Sequence, residues 1–139
     1  MQSFLKRNQL IDKGFNAIIS GKLPIGLRSS ATDTTAYLLA LYDVNNLEIS
    51  KEELIRYSHW VETYFIDLKN GILDEASNIL SQNGYLMYMD CKTGEYDLDL
   101  VKQPEKMLEY ETLVVYSGIS KALRGTDYNN RVDECKVSA

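Results

Sequence analysis

Metal-binding and disulfide chemistry have little to work with in this sequence. It has two cysteines, two prolines, one histidine and one tryptophan in 139 residues. Cys91 and Cys135 stand far apart at no metal-ligand spacing, and His59 is the single histidine, which argues against a zinc site. Thiols used this sparingly are expected to be reduced and structural, as in a cytoplasmic protein. No apolar run approaches the roughly 20 residues of a membrane span, so no membrane partner is expected. Residues Met1 to Asn8 lack the apolar core of a signal peptide. Clustered positive charge is also missing. The net charge is −5 and the 15 Lys and Arg are scattered among 20 Asp and Glu. Backbone binding of nucleic acid needs basic clusters, so no nucleic-acid partner is expected. A small anion is still allowed, because backbone N–H groups and a metal ion can hold one.

What is present is ordinary for a globular protein: 45% hydrophobic and 25% charged residues. Neither repeats nor a linker interrupt the chain, and a single domain over 1–139 is expected. At this size a domain buries about 70% of the surface its unfolded chain exposes. Phe15 to Ser20 is a short apolar run ended by Gly21 and reads as a strand. A turn-rich loop, Leu23 to Ala31, feeds a helix with Thr35, Leu38, Leu39 and Tyr42 at helical spacing. Ser50 with Glu53 forms a capping box, opening a second helix that turns Ile55, Val61, Phe65 and Leu68 towards a core. A third helix from near Gly71 carries Ile72, Ala76, Ile79 and Leu80 and stops around Asn83-Gly84. Tyr85 to Asp90 and Glu95 to Leu100 read as a hairpin around Thr93-Gly94. Thr112 to Ser117 reads as a buried strand. A last helix from Thr126-Asp127 is expected to bury Tyr128, Val132 and Cys135. The order β–α–α–α–β–β–β–α implies an α+β fold, with helices on one face of a largely antiparallel sheet.

Four places invite a chemical reading, each beside a plainer one. Gly26-Leu27-Arg28-Ser29-Ser30 runs into a helix start, where orphan N–H groups and the helix dipole favour an anion. Ser29 or Ser30 equally suits an N-cap. Glu62 falls on the apolar face of its helix, where a charge needs a partner. Asp74 sits in a first helical turn, where a negative charge gains about 0.3–1 kcal/mol from the dipole. Tyr128 reads as a half-buried aromatic at a helix start.

The wider strings decide between these readings. Lys13-Gly14-Phe15 through Pro24, followed by Gly26-Leu27-Arg28-Ser29-Ser30-Ala31, resembles the strand and P-x-G-x-G-L-x-S-S-A phosphate loop of galactokinases. These belong to a kinase family that also holds homoserine and mevalonate kinases. The loop is two residues short, lacks one glycine, and has Arg28 where Ser is usual. Trp60-Val61-Glu62-Thr63-Tyr64-Phe65 resembles their A-E-x-x-F stretch. Gly71-Ile72-Leu73-Asp74-Glu75 resembles G-I-M-D-Q, with Glu75 for Gln and with Asp67 for an upstream Gly. Asp90-Cys91-Lys92-Thr93-Gly94-Glu95-Tyr96 resembles D-C-R-S-L-E-Y. Val114 to Leu123 and Tyr128 to Cys135 resemble V-V-x-S-x-V-x-x-S-L and Y-N-x-R-x-x-E-C. The shared order from Lys13 to Cys135 is more specific than any one match.

The resemblance implies an ATP-dependent sugar kinase that phosphorylates the C1 hydroxyl of galactose or a related sugar. ATP phosphates would lie against Gly26, Leu27, Arg28, Ser29 and Ser30. Ser30 and Glu62 would hold Mg²⁺ through hard oxygen ligands. Asp74 would be the general base, with Gly71 and Tyr128 beside the sugar. Galactokinases also carry a G-R-V-N-x-I-G-E-H-x-D-Y stretch and a second Gly-rich segment, and this sequence holds neither. The expectation is therefore the middle segment of such a kinase, inactive alone, with self-association or pairing to other kinase segments open. The alternative is a degenerate, non-catalytic relative that binds sugar or protein.

Overall fold

The structure is a computed structural model that describes residues 11–21, 29–91, 97–106, 110–119 and 127–138. Its elements are α1 (Ser29–Val44), α2 (Lys51–Tyr64), α3 (Leu73–Leu80), β1 (Tyr85–Asp90), β2 (Asp97–Lys102) and α4 (Tyr128–Ser138). The class is α+β, as the sequence implies. The helices α1, α2 and α3 pack on one another, and β1 pairs with β2.

Each of the three packed helices follows from its sequence. In α1, Ala31, Thr35, Leu38 and Tyr42 recur every three or four residues and are buried together. Its C-terminus is closed by Asn46 in the left-handed region (φ 51°), with Leu47 N–H donating to Tyr42 O at 3.0 Å. Ser50 caps α2: its hydroxyl accepts from Glu53 N–H at 3.1 Å, and Ser50 N–H donates to the Glu53 carboxylate. The buried face of α2 carries Leu54, Ile55, Tyr57, Ser58 and Glu62. After α2, Asp67 takes φ 60° and turns the chain so that Leu68 is buried. Asp and Asn tolerate this conformation better than other non-glycine residues. The short α3 has no side-chain N-cap and begins with Asp74 and Glu75 in its first turn.

Leu38, Tyr42, Leu54 and Tyr57 form the core between α1 and α2, with Ile11, Ile49 and Ile79 packed around it. Asn45 binds the stretch before α1 to this core. Its Oδ1 accepts from Asp12 and Lys13 N–H at 3.1 and 2.9 Å, and its Nδ2 donates to Lys13 O and Leu41 O. The hairpin pairs Tyr85 with Lys102 through Asp90 with Asp97. Met87 and Met89 lie opposite Leu100 and Leu98 on its half-buried face.

Several expectations differ from the structure. Phe15 to Ser20 is not a strand: Ile18 is 98% exposed and finds no pairing partner among the described residues. Thr112 to Ser117 likewise forms no strand, and Val115 and Tyr116 are exposed. Apolar, β-branched composition favours a strand only when a neighbour completes the ladder. Phe65 is exposed because the chain leaves the helical stripe at Tyr64. It packs edge-on against Trp60 at 5.2 Å, and Trp60 stacks on Tyr64. Leu39 falls between the buried positions of α1 and is exposed. In α4 no residue is buried and Cys135 is exposed, since polar contacts hold this helix. Asn129 donates to Asp67 O and accepts from Lys69 N–H, while Lys69 pairs with Asp133. Among the described residues no helix is long and apolar enough to cross a membrane.

These contacts rank two substitutions. Ile55 is fully buried, so Ile55→Ala is expected to destabilise the fold by about 2–5 kcal/mol. Ser50→Ala, which removes the cap of α2, should cost about 0.5–2 kcal/mol. Urea denaturation checks the order; an equal or reversed ranking contradicts this core.

Candidate functional site

The packing of α1, α2 and α3 gathers polar side chains at one junction. Three links fasten it. Thr35 on α1 and Ser58 on α2 share a buried hydroxyl–hydroxyl hydrogen bond of 3.1 Å. Asn78 on α3 donates to Thr32 on α1 at 3.1 Å. Ser30, in the first turn of α1, is hydrogen-bonded to the carboxyl group of Glu62 on α2. Ser30 and Ser29 thus lie inside the helix, and the Ser30 hydroxyl is engaged across the helix interface.

Glu62 is 1% exposed, and its Oε1 has no hydrogen-bond partner. Burial pushes its carboxyl above the ordinary 4.5, opposed by the Ser30 hydrogen bond. The charges of Glu75 and Asp74 raise it further, and His59 opposes them. Glu75 is fully buried and neither of its oxygens accepts a hydrogen bond. His59 lies beside it, with Nδ1 3.7 Å from Oε1, too long for a hydrogen bond. Asp74 is half-buried in the first turn of α3.

The structure thus sets Ser30 against Glu62 and brings Asp74 within electrostatic reach. Gly26, Leu27 and Arg28 lie outside the described residues. Gly71 is exposed just before α3, with open space where a Cβ would stand. Tyr128 lines a shallow hollow of α4 with Arg131, Val132, Cys135 and Lys136. The next residue, Asn129, ties α4 to residues 67–69 ahead of α3.

Ser30, Glu62 and Glu75 offer hard oxygen atoms, two of them on carboxylates with unsatisfied lone pairs. That donor chemistry fits Mg²⁺, which is usually held by one or two carboxylates and completed by water or phosphate. Sequence reasoning missed the Thr35–Ser58 bond, the burial of Glu75 and the Asn129 bridge. Ser58 and Glu62 do stand four residues apart on one helix face, which is the one signal that was available.

Glu62 gives the fold a defined pH response. Its folded carboxyl titrates above its unfolded value, so the native state binds more protons in the interval between the two. Stability is therefore expected to fall as pH rises from about 4.5 through the raised value, and to level off above it. Asp133, held low by Lys69, acts oppositely, its contribution being lost only as pH falls below the ordinary carboxylate range. Glu62→Gln should flatten the decline above pH 4.5. Denaturation midpoints measured from pH 4 to 8 check this, and an unchanged decline contradicts it.

Comparison with known proteins agrees with this arrangement of motifs. The model for the GHMP kinases N terminal domain matches residues 1–82. A galacturonokinase of Arabidopsis thaliana is 44% identical over 115 residues, covering 82% of this chain and 27% of that protein. A galactokinase of Limosilactobacillus reuteri is 33% identical over 139 residues, covering 98% of this chain and 34% of its own length. A galactokinase of Lactobacillus helveticus is 32% identical over 127 residues, or 90% of this chain and 32% of that protein. The chain spans about a third or less of these relatives. No solved structure matches it. With more than half of its length matched by the family model, this chain belongs to the GHMP kinase family.

Proposed function

We propose that this chain supplies the magnesium-binding and proton-accepting part of an ATP-dependent sugar kinase. Its sugar would be galactose or the corresponding uronic acid, the substrates named by its relatives. The supporting observation is the hydrogen bond between Ser30 and buried Glu62 beside the first turn of α3. In this reading Ser30 and Glu62 hold Mg²⁺, which when bound neutralises the charge on ATP phosphates. The backbone of residues 26–30 receives those phosphates at the start of α1.

Asp74 takes the proton of the sugar C1 hydroxyl as that oxygen attacks the γ-phosphorus and ADP leaves. Its backbone is placed by the first turn of α3, and general-base work depends on positioning. Gly71 leaves open surface for the sugar, and Tyr128 is the proposed aromatic sugar contact, next in the chain to Asn129, which ties α4 to residues 67 and 69. Phosphoryl transfer depends on positioning and charge stabilisation at every oxygen of the moving group. The chain is therefore proposed to be inactive alone, and to act in the cytoplasm with the sugar-gripping segments that its motifs do not include. Association with those segments, or with a second copy, would also cover the exposed run at 113–119.

A second reading, a catalytically silent sugar-binding or interaction module, draws on Glu75, which adds negative charge where phosphate would approach. Calorimetric titration separates the two. The kinase reading expects ATP–Mg²⁺ to bind, with Ser30→Ala weakening it about tenfold, the scale of one hydrogen bond to a charged group. Sugar binding without nucleotide binding supports the silent module. Binding of neither ligand overturns both ligand-binding readings.

A further inference from the structure

Glu75 is 0% exposed, and neither of its carboxylate oxygens accepts a hydrogen bond. Burying an ionised carboxylate without partners costs several kcal/mol, roughly, even after the protein relaxes. Such a group persists only when something else satisfies it. His59 is the obvious candidate, but its Nδ1 stands 3.7 Å away and its side chain is 28% exposed.

The position of Glu75 matters more than its burial. His59 precedes Glu62 by three residues, so both lie on the same side of α2. Glu75, close to His59, therefore faces the side of α2 that carries Glu62, and its charge is felt there. Glu62 also leaves its Oε1 without a partner. Two neighbouring helices thus bring together three carboxyl oxygens without hydrogen-bond partners, Glu62 Oε1 and both of Glu75, beside the exposed Ser30 at the start of α1. A shared proton would satisfy one or two of them. A hard divalent cation satisfies all of them and cancels the repulsion between the carboxylates. The galactokinase-like motif has Gln at this place, which would present one neutral oxygen.

We propose that Glu75 joins Ser30 and Glu62 as an oxygen ligand for a divalent cation, giving this chain magnesium affinity without nucleotide. This deepens the kinase reading and rests on it for the roles of Ser30 and Glu62. Among the described residues no three His, Cys, Asp or Glu side chains form a ready cage. The site accordingly has two carboxylates and a hydroxyl, with water or phosphate completing the shell, as is usual for magnesium.

The test uses the whole 139-residue chain and Mn²⁺ as a spectroscopic stand-in for Mg²⁺. Electron paramagnetic resonance counts free Mn²⁺ during titration of the wild type, Glu75→Gln and Glu62→Gln, all without ATP. Thermal melts with and without Mg²⁺ run alongside. The expected result is one bound Mn²⁺, weakened on the order of ten- to a hundredfold by Glu75→Gln, and a Mg²⁺-dependent rise in Tm that the variant loses. In EDTA the variant should be at least as stable as the wild type, because the amide removes a buried charge. No Mn²⁺ uptake by the wild type, or equal uptake by Glu75→Gln, overturns the proposal. If ATP–Mg²⁺ binding depends on Ser30 while Mn²⁺ uptake ignores Glu75, this inference fails and the kinase reading stands. If Mn²⁺ uptake depends on Glu75 and no form binds ATP, the cation site stands without the kinase reading.

Discussion

The buried carboxyl of Glu62, hydrogen-bonded to Ser30 across the α1–α2 interface, is the constraint around which the rest of the site is arranged. A carboxyl that is 1% exposed must be satisfied locally. Its surroundings follow from that need: a hydroxyl from α1, the Thr35–Ser58 bond that holds α1 to α2, and the Asn78–Thr32 bond that holds α3 in place. Together these bring the first turn of α3, with Asp74 and Glu75, beside α2.

The hydrophobic core and the polar junction have separate tasks. Leu38, Tyr42, Leu54 and Tyr57 hold α1 against α2. The apolar contact fixes the helix pair, and the hydrogen bonds then fix which side chains meet. Further along the chain the balance is reversed. The helix α4 buries nothing and is held by Asn129 and the Lys69–Asp133 pair. Exposed ion pairs of that kind contribute little and are screened by salt, which leaves the Asn129 hydrogen bonds as the firmer tie of α4.

Much of this was legible in the sequence, and for physical reasons. The Ser50–Glu53 capping box, the helical spacing of Thr35, Leu38 and Tyr42 and the β1–β2 hairpin are local signals; the cap and these three buried positions appear where they were read, while β2 runs on past Leu100 to Lys102. The runs at 15–20 and 112–117 were misread as strands because strand formation is a property of pairs, and composition says nothing about a partner. Phe65 was misplaced because helical spacing was continued one residue beyond the point where the chain turns. At the site, motif order pointed to Ser30, Glu62 and Asp74 as a group. The burial of Glu75 was not legible, since a charged first-turn residue ordinarily faces water. Asn129 was hidden for a different reason: its partners lie 60 and 62 residues away and are backbone atoms.

The meeting of Ser30 and Glu62 is tested most directly by a double-mutant cycle. Unfolding free energies are measured for the wild type, Ser30→Ala, Glu62→Gln and the double variant at neutral pH. A hydrogen bond from Ser30 to the buried Glu62 carboxyl predicts a coupling of about 0.5–3 kcal/mol between the two substitutions. Strict additivity would mean that the two side chains do not touch, and the site described above would lose its centre.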